Sequence, residues 1–360
     1  MPLPSIPDYS DCIKTPALVH PPVLQGGHPL ENGVRLIKYS GGFCVVFPYQ
    51  TATKKYAVRC WHAEVADAKH RTQVIADALK KSNLPYFVGF EFYEDGIMTP
   101  FGMQPIVVMD WVDAQSLKKF LAEHIMESDV INKIAENFKK MVADLHANHF
   151  SHGDLQHGNI LVKPDHSLVL VDYDSMYVPD LNGMPDDIKG LVGYQHEARW
   201  NNKFVSEKAD FFSELVIYLS LKALAKIPDL WKDLNMEDTE TLLFSGEDIQ
   251  SHGQANIFRL LKTDSELGVL TDKLCEFMSK SSIDELSPLE DVVISKSDSI
   301  SAKWQNGNGY VMANNQGTVI DSQQISDRWS SGNGYDKDRE LQKRRKHLLE
   351  NISTKFRRSE

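Results

Sequence analysis

Residues 152–159 read His-Gly-Asp-Leu-Gln-His-Gly-Asn, and this stretch decides the interpretation of the whole chain. Asp154 stands five residues before Asn159, in a segment broken by two glycines. Residues 160–171 then form two short β-rich runs around a Pro-Asp-His-Ser turn, and Asp172 follows the second run at once. A tight loop followed by a hairpin brings the three side chains together. Their oxygen atoms are the ligands that Mg²⁺ prefers, so the pattern predicts a site for phosphoryl transfer.

The sequence before this loop has the pattern of a β-sheet that carries one helix. Five short runs have the alternation or the composition of strands: 34–39, 43–47, 55–59, 87–92 and 106–109. The first three runs predict three antiparallel strands. Over residues 65–81 apolar side chains recur every three or four positions, which predicts an amphipathic helix. Residues 31–109 are therefore expected to form a small β-rich unit.

The sequence after residue 109 is mainly helical. Apolar stripes or continuous apolar runs predict helices at 130–145, 211–225 and 267–278. The second of these is apolar on nearly all sides, which predicts a helix buried in the middle of its unit. Residues 110–295 are expected to form this second, larger unit, and the predicted fold class is α+β.

The two ends of the chain differ from both units. Residues 1–30 are rich in proline and contain the pair Gly26-Gly27, which predicts an extended lead-in lying over a domain and not a packed unit. Residues 296–360 have few aliphatic side chains and are expected to be disordered in isolation. They contain the motif W-x-x-G-N-G-Y twice, with its tryptophans at Trp304 and Trp329. Because exposed Trp often anchors interfaces, both motifs are candidate docking sites for a protein partner.

The composition is that of a globular protein, and the length of the chain suggests two structural units. The chain has 360 residues, of which 42% are hydrophobic and 25% charged. Its net charge of −11 argues against a nucleic-acid or membrane-surface binder, because both partners require a basic face, and only the last part of the tail is basic. The four cysteines are widely spaced and form neither a zinc pattern nor a disulfide framework. Without a signal-peptide pattern or an apolar membrane-spanning stretch, a cytoplasmic location is expected.

The chain from about residue 30 to residue 290 resembles bacterial, Hanks-type Ser/Thr protein kinase-like proteins. Residues 152–159 resemble the catalytic loop H-R-D-x-x-x-x-N, and Asp172-Tyr173-Asp174 resembles the D-F-G motif. Three further features stand in the kinase order: Ala57-Val58-Arg59 at the strand-borne A-x-K, Met109 to Val112 at the gatekeeper and hinge, and Asp210 at the start of the buried helix. The resemblance implies a bilobal fold with a small β-rich N-lobe, one main N-lobe helix and a larger, mostly helical C-lobe.

The resemblance also implies roles for individual residues. Asp154, Asn159 and Asp172 become the catalytic set, with Asp154 orienting or deprotonating the acceptor hydroxyl and the other two holding Mg²⁺. The implied ATP-contacting residues are Gly41, Gly42, Val45, Ala57, Arg59, Met109, Asp110, Val112 and Gln156. Among these, Asp110 and Val112 offer backbone groups to the adenine.

Two of the implied roles have a plainer alternative. Gly41 and Gly42 allow the backbone to approach phosphate closely, but an ordinary hairpin turn needs such glycines as well. Asp210 either accepts hydrogen bonds from the catalytic loop or only complements the dipole of the helix that it begins. The sequence leaves both alternatives for Asp210 open.

The chain departs from the kinase pattern at several positions. Arg59 stands where kinases carry Lys, which keeps the charge but changes its geometry. The following helix has no obvious Glu at its middle: Gln73 and Asp77 bracket the expected place, and Glu64 comes too early. Gly153 replaces an Arg, so control by a phosphorylated activation segment docking on that Arg is not expected. Gln156 likewise replaces a Lys.

The leading hypothesis is an ATP- and Mg²⁺-dependent Ser/Thr protein kinase with a protein substrate. The departures at Arg59 and in the helix motivate a first alternative, a pseudokinase that binds nucleotide as a scaffold. The form H-G-D-x-x-x-G-N also resembles the aminoglycoside and choline kinases, so a small-molecule kinase is a second alternative. Gly193-Tyr194-Gln195-His196, which resembles the end of a peptide-docking activation segment, favours a protein acceptor.

Overall fold

The structure is a computed structural model that describes residues 3–64 and 67–293. Its N-terminal part contains eight strands: β1 (His28–Pro29), β2 (Glu31–Asn32), β3 (Arg35–Leu36), β4 (Tyr39–Ser40), β5 (Cys44–Gln50), β6 (Lys55–Trp61), β7 (Phe90–Thr99) and β8 (Gly102–Asp110). Six of them form one antiparallel sheet in the order β1-β5-β6-β8-β7, with β4 paired to the free end of β5. The expected strand over 34–39 is divided, because β3 pairs only with β2 and the chain rejoins the sheet at Tyr39.

The register of β5 against β6 determines which side chains line each face of this sheet. Directly opposed residues of antiparallel strands point to the same face, and Val45 is opposed to Cys60 while Val46 is opposed to Arg59. Val45 and Cys60 have no exposed surface and belong to an apolar core on the outer face. Val46 and Arg59 therefore point to the other face. This face lies opposite the C-terminal part of the fold, and we call it the roof of the cleft between the two parts.

The N-terminal segment is part of the outer-face core and not the extended lead-in that was expected. Helix α1 (Ile6–Cys12) begins with a capping box at Ser5, and its Tyr9 is fully buried with the hydroxyl donating to the Trp61 carbonyl at 2.9 Å. Two 3₁₀ turns follow, Pro16–Leu18 and Pro22–Leu24. The prolines stand in the first turn of each helical segment, where a missing N–H has no cost, and so they do not force extension.

The long helix of the N-terminal part is α2 (Ala68–Ser82), which lies between β6 and β7 in the chain and packs against β7. Its buried face includes Thr72, Ile75 and Leu79, at the spacing that the sequence pattern predicts. The described helix begins a few residues later than expected.

The C-terminal part consists mainly of helices. They are α3 (Leu117–His124), α4 (Ser128–Ala147), α5 (Phe211–Lys226), α6 (Leu230–Asp233), α7 (Gly246–Gln250), α8 (Asn256–Leu261), α9 (Ser265–Met278) and α10 (Leu289–Val292). As expected, α5 is buried on almost every side and packs against α4 and α9. One continuous apolar core joins these helices, so the fold is the α+β, bilobal arrangement expected from the sequence.

A small sheet holds the residues that follow the quoted loop. It consists of β9 (Gln115–Ser116), β10 (Ile160–Val162) and β11 (Leu168–Leu170), in the order β11-β10-β9. The loop 148–159 connects α4 to β10, and Asp172 follows β11 across the cleft from the roof.

Within the described residues, no helix is both long enough and apolar enough to span a bilayer. The tail motifs at Trp304 and Trp329 lie outside the residues that the structure describes.

Candidate active site

The catalytic-loop backbone is held by Asp210, the residue that precedes α5. Its fully buried carboxylate accepts hydrogen bonds from the backbone N–H groups of His152 and Gly153. Its side chain makes no hydrogen bond that caps its own helix. Of the two roles left open by the sequence, the structure therefore shows the bond to the catalytic loop.

Gly153 is required by the shape of this loop. Its φ is +77°, and a Cβ on it would lie 2.1 Å from the Ser175 carbonyl oxygen. A side chain is therefore excluded both by backbone conformation and by direct contact. The ring of the neighbouring His152 makes two hydrogen bonds that connect parts of the site. Its Nε2 donates to the Val171 carbonyl at 2.9 Å, and its Nδ1 accepts from the Asp154 N–H at 3.3 Å.

Asp154 and Asn159 are in direct contact. The Asn159 amide Nδ2 donates to the backbone carbonyl of Asp154 at 2.9 Å and to its carboxylate Oδ2 at 3.0 Å. The other carboxylate oxygen of Asp154 accepts the backbone N–H of Leu191 at 2.9 Å. Burial raises the pKa of Asp154 despite these bonds. The carboxylate is thus fixed in orientation and is a better proton acceptor than a free aspartate.

Asp172 lies beside this pair at the mouth of the cleft. It adopts the left-handed conformation, with φ +66°, and 55% of its side-chain surface is exposed. Loss of solvation by the surrounding protein raises the pKa of Asp172, and the negative charge of the Asp174 carboxylate raises it further. Such crowding of negative charge is relieved by a cation, which is the electrostatic environment of a metal site.

A magnesium ion held by Asn159 and Asp172 stays a prediction from the sequence. Since the Asn159 Nδ2 donates to Asp154, the amide oxygen Oδ1 of Asn159 is left as a candidate ligand, and the Asp172 carboxylate is a second one. No group of three His, Cys, Asp or Glu side chains suited to a metal occurs within residues 3–64 and 67–293. Two protein ligands are sufficient for Mg²⁺ when phosphate oxygens complete its shell.

Arg59 reaches the same site from the roof. Its side chain is 7% exposed, and its two terminal nitrogens bind both carboxylate oxygens of Asp174, with Nη1 to Oδ1 at 2.6 Å. Nη2 lies 3.9 Å from Asp172 Oδ1. Burial disfavours the guanidinium charge, but Asp174 outweighs it and the pKa of Arg59 is raised. Asp174 was not among the expected site residues, although a second Asp in place of the glycine of D-F-G was a visible signal.

Helix α2 supplies no acidic partner to Arg59, which agrees with the missing Glu in the sequence. Gln73 and Asp77 bond to each other at 3.1 Å on the exposed face of the helix. The one charged side chain that α2 buries is the cation Arg71, whose nitrogens donate to the carbonyls of Pro185 and Met176 at 3.3 and 3.4 Å. Sequence reasoning did not identify Arg71, since an interior helix position gives no signal of its long-range contacts.

The roof of the cleft contains most of the other expected residues. Gly41 and Gly42 lie exposed in the turn between β4 and β5, with no atom near a hypothetical Cβ on either. Ala57 is opposed to Met109, which places both on the cleft face next to Arg59. The expectation for Val45 is wrong, because this side chain is buried in the outer-face core, and Val46 takes the cleft position.

The hinge connects β8 to the C-lobe. The N–H groups of Asp110 and Trp111 donate to the carbonyls of Gly89 and Lys55. The N–H of Val112 has no acceptor among the described residues, so it is available to a ligand. Gln156, by contrast, is engaged within the catalytic loop, where its Oε1 accepts the Gly158 N–H at 2.8 Å.

A buried ion pair fastens the segment after Asp174 to the catalytic loop. Arg199, which is 1% exposed, lies 3.2 Å from Asp186 and donates to the Gly153 carbonyl. Lys189 pairs with the same carboxylate at 3.1 Å. The bond from Arg199 to the Gly153 carbonyl joins residues 46 positions apart, and none of these contacts was predicted. They explain how Leu191 is held against Asp154.

A scan against protein-family models matches residues 40–279 to the protein kinase domain. A search of curated proteins gives no match to the chain. The matched range runs from the glycine turn of the roof to the end of α9, and so it includes the whole site described above. The chain therefore belongs to the protein kinase domain family and is an ATP-dependent phosphotransferase.

Proposed function

We propose that the chain is a Mg²⁺-dependent protein kinase that transfers the γ-phosphate of ATP to a Ser or Thr hydroxyl. The observation that carries the proposal is the joint placement of Asp154, Asn159 and Asp172, with the cation of Arg59 3.9 Å from Asp172. Asn159 donates to the Asp154 carboxylate, and its carbonyl accepts the N–H of Val171, the neighbour of Asp172, at 3.0 Å. Phosphoryl transfer needs a positioned hydroxyl, metal ligands and charge stabilisation, and this set provides side chains for each.

Each residue has a distinct role in the proposed reaction. Asp154 receives the hydrogen bond, and then the proton, of the attacking hydroxyl while Asn159 holds its carboxylate in place. Asn159 Oδ1 and Asp172 would hold Mg²⁺, which neutralises phosphate charge when bound. Arg59 offers a fixed positive charge to the phosphates, and the glycine turn lets the backbone approach them. The hinge N–H of Val112 donates a hydrogen bond to the adenine.

A protein acceptor is supported by the segment between Asp174 and α5. The Leu191 N–H contacts the catalytic carboxylate, while the side chains of Val192 and Trp200 are 51% and 48% exposed close by in the sequence. Exposed apolar and aromatic groups of this kind are suited to binding a polypeptide next to its phosphorylated residue.

The proposal is tested by incubating the protein with radiolabelled ATP, Mg²⁺ and a set of generic protein substrates. We expect transfer to protein, with label on phosphoserine or phosphothreonine after acid hydrolysis. Asp172→Ala should abolish it, whereas Asp165→Ala, an exposed aspartate in the turn between β10 and β11, should not. Transfer by Asp172→Ala at the wild-type rate, or label on tyrosine alone, would contradict the assignment.

The pseudokinase scaffold is the second candidate, favoured by one observation. Asp174 binds both terminal nitrogens of Arg59, so this guanidinium has fewer N–H groups left for a phosphate than an unpaired one would have. Binding of ATP without transfer to any acceptor would select the scaffold. Transfer only to aminoglycosides, choline or similar metabolites would select a small-molecule kinase.

Two further expectations belong to the proposal. A cytoplasmic location agrees with four cysteines that are all free in the structure. The tail motifs at Trp304 and Trp329 are proposed docking sites for a protein partner. Replacing both tryptophans by alanine should abolish capture of that partner while leaving ATP binding intact, and unchanged capture would remove the motifs from consideration.

A further inference from the structure

The partner of Arg59 is the most unexpected feature of the site. Arg59 is almost entirely buried, and within the described residues both of its short carboxylate contacts come from one side chain, Asp174. A buried guanidinium requires such a partner, because an unpaired buried charge is strongly destabilising. Helix α2 provides only Arg71 in this region, so the residue that fixes Arg59 lies on the loop that carries Asp172.

The loop that presents Asp174 is held by hydrogen bonds of its own. Residues Tyr173–Ser175 form a single 3₁₀ turn. The fully buried Tyr173 hydroxyl in this turn accepts the Val88 N–H at 3.0 Å and donates to the Leu170 carbonyl at 2.7 Å. The turn is thus attached to both parts of the fold, and the Asp174 carboxylate is presented to Arg59 from a fixed backbone.

We infer that Asp174 is the positioning residue that sets the Arg59 guanidinium for phosphate contact, a role that no residue of helix α2 performs in this chain. The inference rests on the proposed function, since it concerns how the same site handles the phosphates of ATP. Its physical basis is the two-pronged geometry of the pair, which fixes both the location and the plane of the guanidinium.

One consequence concerns regulation. Residues 172–174 contain both the carboxylate that binds Arg59, from Asp174, and the candidate metal ligand Asp172. Asp172 lies 3.9 Å from the Arg59 guanidinium. Movement of α2 therefore neither makes nor breaks an ion pair with Arg59. Replacing Gln73 and Asp77 by alanine, which changes the exposed face of α2 where an acidic partner was sought, should leave the turnover number unchanged.

The inference is tested with a double-mutant cycle on the full chain: Arg59→Gln, Asp174→Asn and the double variant. The readouts are the dissociation constant of a fluorescent ATP analogue with Mg²⁺, and kcat and KM for ATP. Asp174→Asn should weaken binding about fivefold and lower kcat at least about tenfold. In the Arg59→Gln background the same change should have almost no further effect. Equal effects of Asp174→Asn in both backgrounds would overturn the inference.

Two controls separate positioning from simple loss of folding. Asp174→Glu keeps the carboxylate and should recover a large part of kcat, whereas a structural role alone would leave it as inactive as Asp174→Asn. Glu94→Gln removes an exposed carboxylate that lies 3.7 Å from Lys69 in the N-lobe and should change neither readout. If the wild-type protein binds ATP but transfers no phosphate, the proposed function fails while the binding cycle still decides the role of Asp174.

Discussion

The carboxylate of Asp210 accepts the backbone N–H of Gly153 at 3.0 Å, and it does so from the start of a helix 57 positions further along the chain. The same carboxylate accepts the N–H of His152, so replacing Asp210 by Asn leaves two buried N–H donors without a negatively charged acceptor. Asp210→Asn should lower the free energy of unfolding by about 2–3 kcal/mol and reduce kcat. Urea denaturation and steady-state kinetics measure both effects, and a wild-type kcat would show that the loop keeps its shape without Asp210.

Gly153→Ala tests the steric origin of the unusual glycine in the catalytic loop. The left-handed backbone costs an alanine about 1 kcal/mol, and the contact with the Ser175 carbonyl should add about 1–3 kcal/mol. Gly183→Ala is the matched control, because Gly183 has φ +84° but no atom within 4 Å of a hypothetical Cβ. Only Gly153→Ala should abolish activity. Equal losses of stability in the two variants would show that the contact has no effect.

Tyr9→Phe tests whether the N-terminal segment is an integral part of the N-lobe. The variant removes one hydroxyl and leaves the buried Trp61 carbonyl without its donor, so it should cost about 1–2 kcal/mol of stability. Thermal unfolding followed by circular dichroism measures the change. Tyr177→Phe is the control, because the Tyr177 hydroxyl makes no buried hydrogen bond to the N-lobe among residues 3–64 and 67–293. Equal melting temperatures for the two variants would contradict the packed role of α1.

His146 should make stability depend on pH. Its ring nitrogens lie 2.8 Å from Glu214 and 2.9 Å from Glu290, and although burial opposes its charge, these carboxylates raise its pKa from 6.5 to about 9. The folded state therefore binds the proton more tightly than the unfolded chain. The resulting stabilisation is complete below pH 6.5 and is lost as the pH rises through 9.

The expected size of the His146 effect is about 1–2 kcal/mol, because burial also raises the pKa of Glu214 and so offsets part of the gain. Urea denaturation at a series of pH values from 6 to about 10 measures it. His146→Gln should flatten the dependence in that window. A variant with the same pH slope as the wild type would show that another group titrates.

Local patterns were sufficient to predict most of the secondary structure and the closeness of three candidate site residues. The helix over 130–145 could be read from apolar periodicity, since a helix in contact with a core repeats its apolar face every three to four residues. The helix over 211–225 could be read from its continuous apolar run. Asp154, Asn159 and Asp172 could be placed together because a short loop and a hairpin link them in sequence. The error at Val45 is also instructive. A shift of one residue moves a side chain to the other face of a strand, and only the pairing with β6 determines that register.

The sequence by itself determined that this chain is a kinase-like α+β protein and that its loop 152–159 resembles a kinase catalytic loop, because these features depend on residues close together in the chain. The tertiary structure alone decided which partner each group has. Arg59 is 115 positions from Asp174, and Asp154 is 37 from the N–H of Leu191. Such pairs form only when the lobes and the intervening segment pack together. Which carboxylate pairs with Arg59 depends on distances in the folded chain, and no local sequence pattern contains those distances.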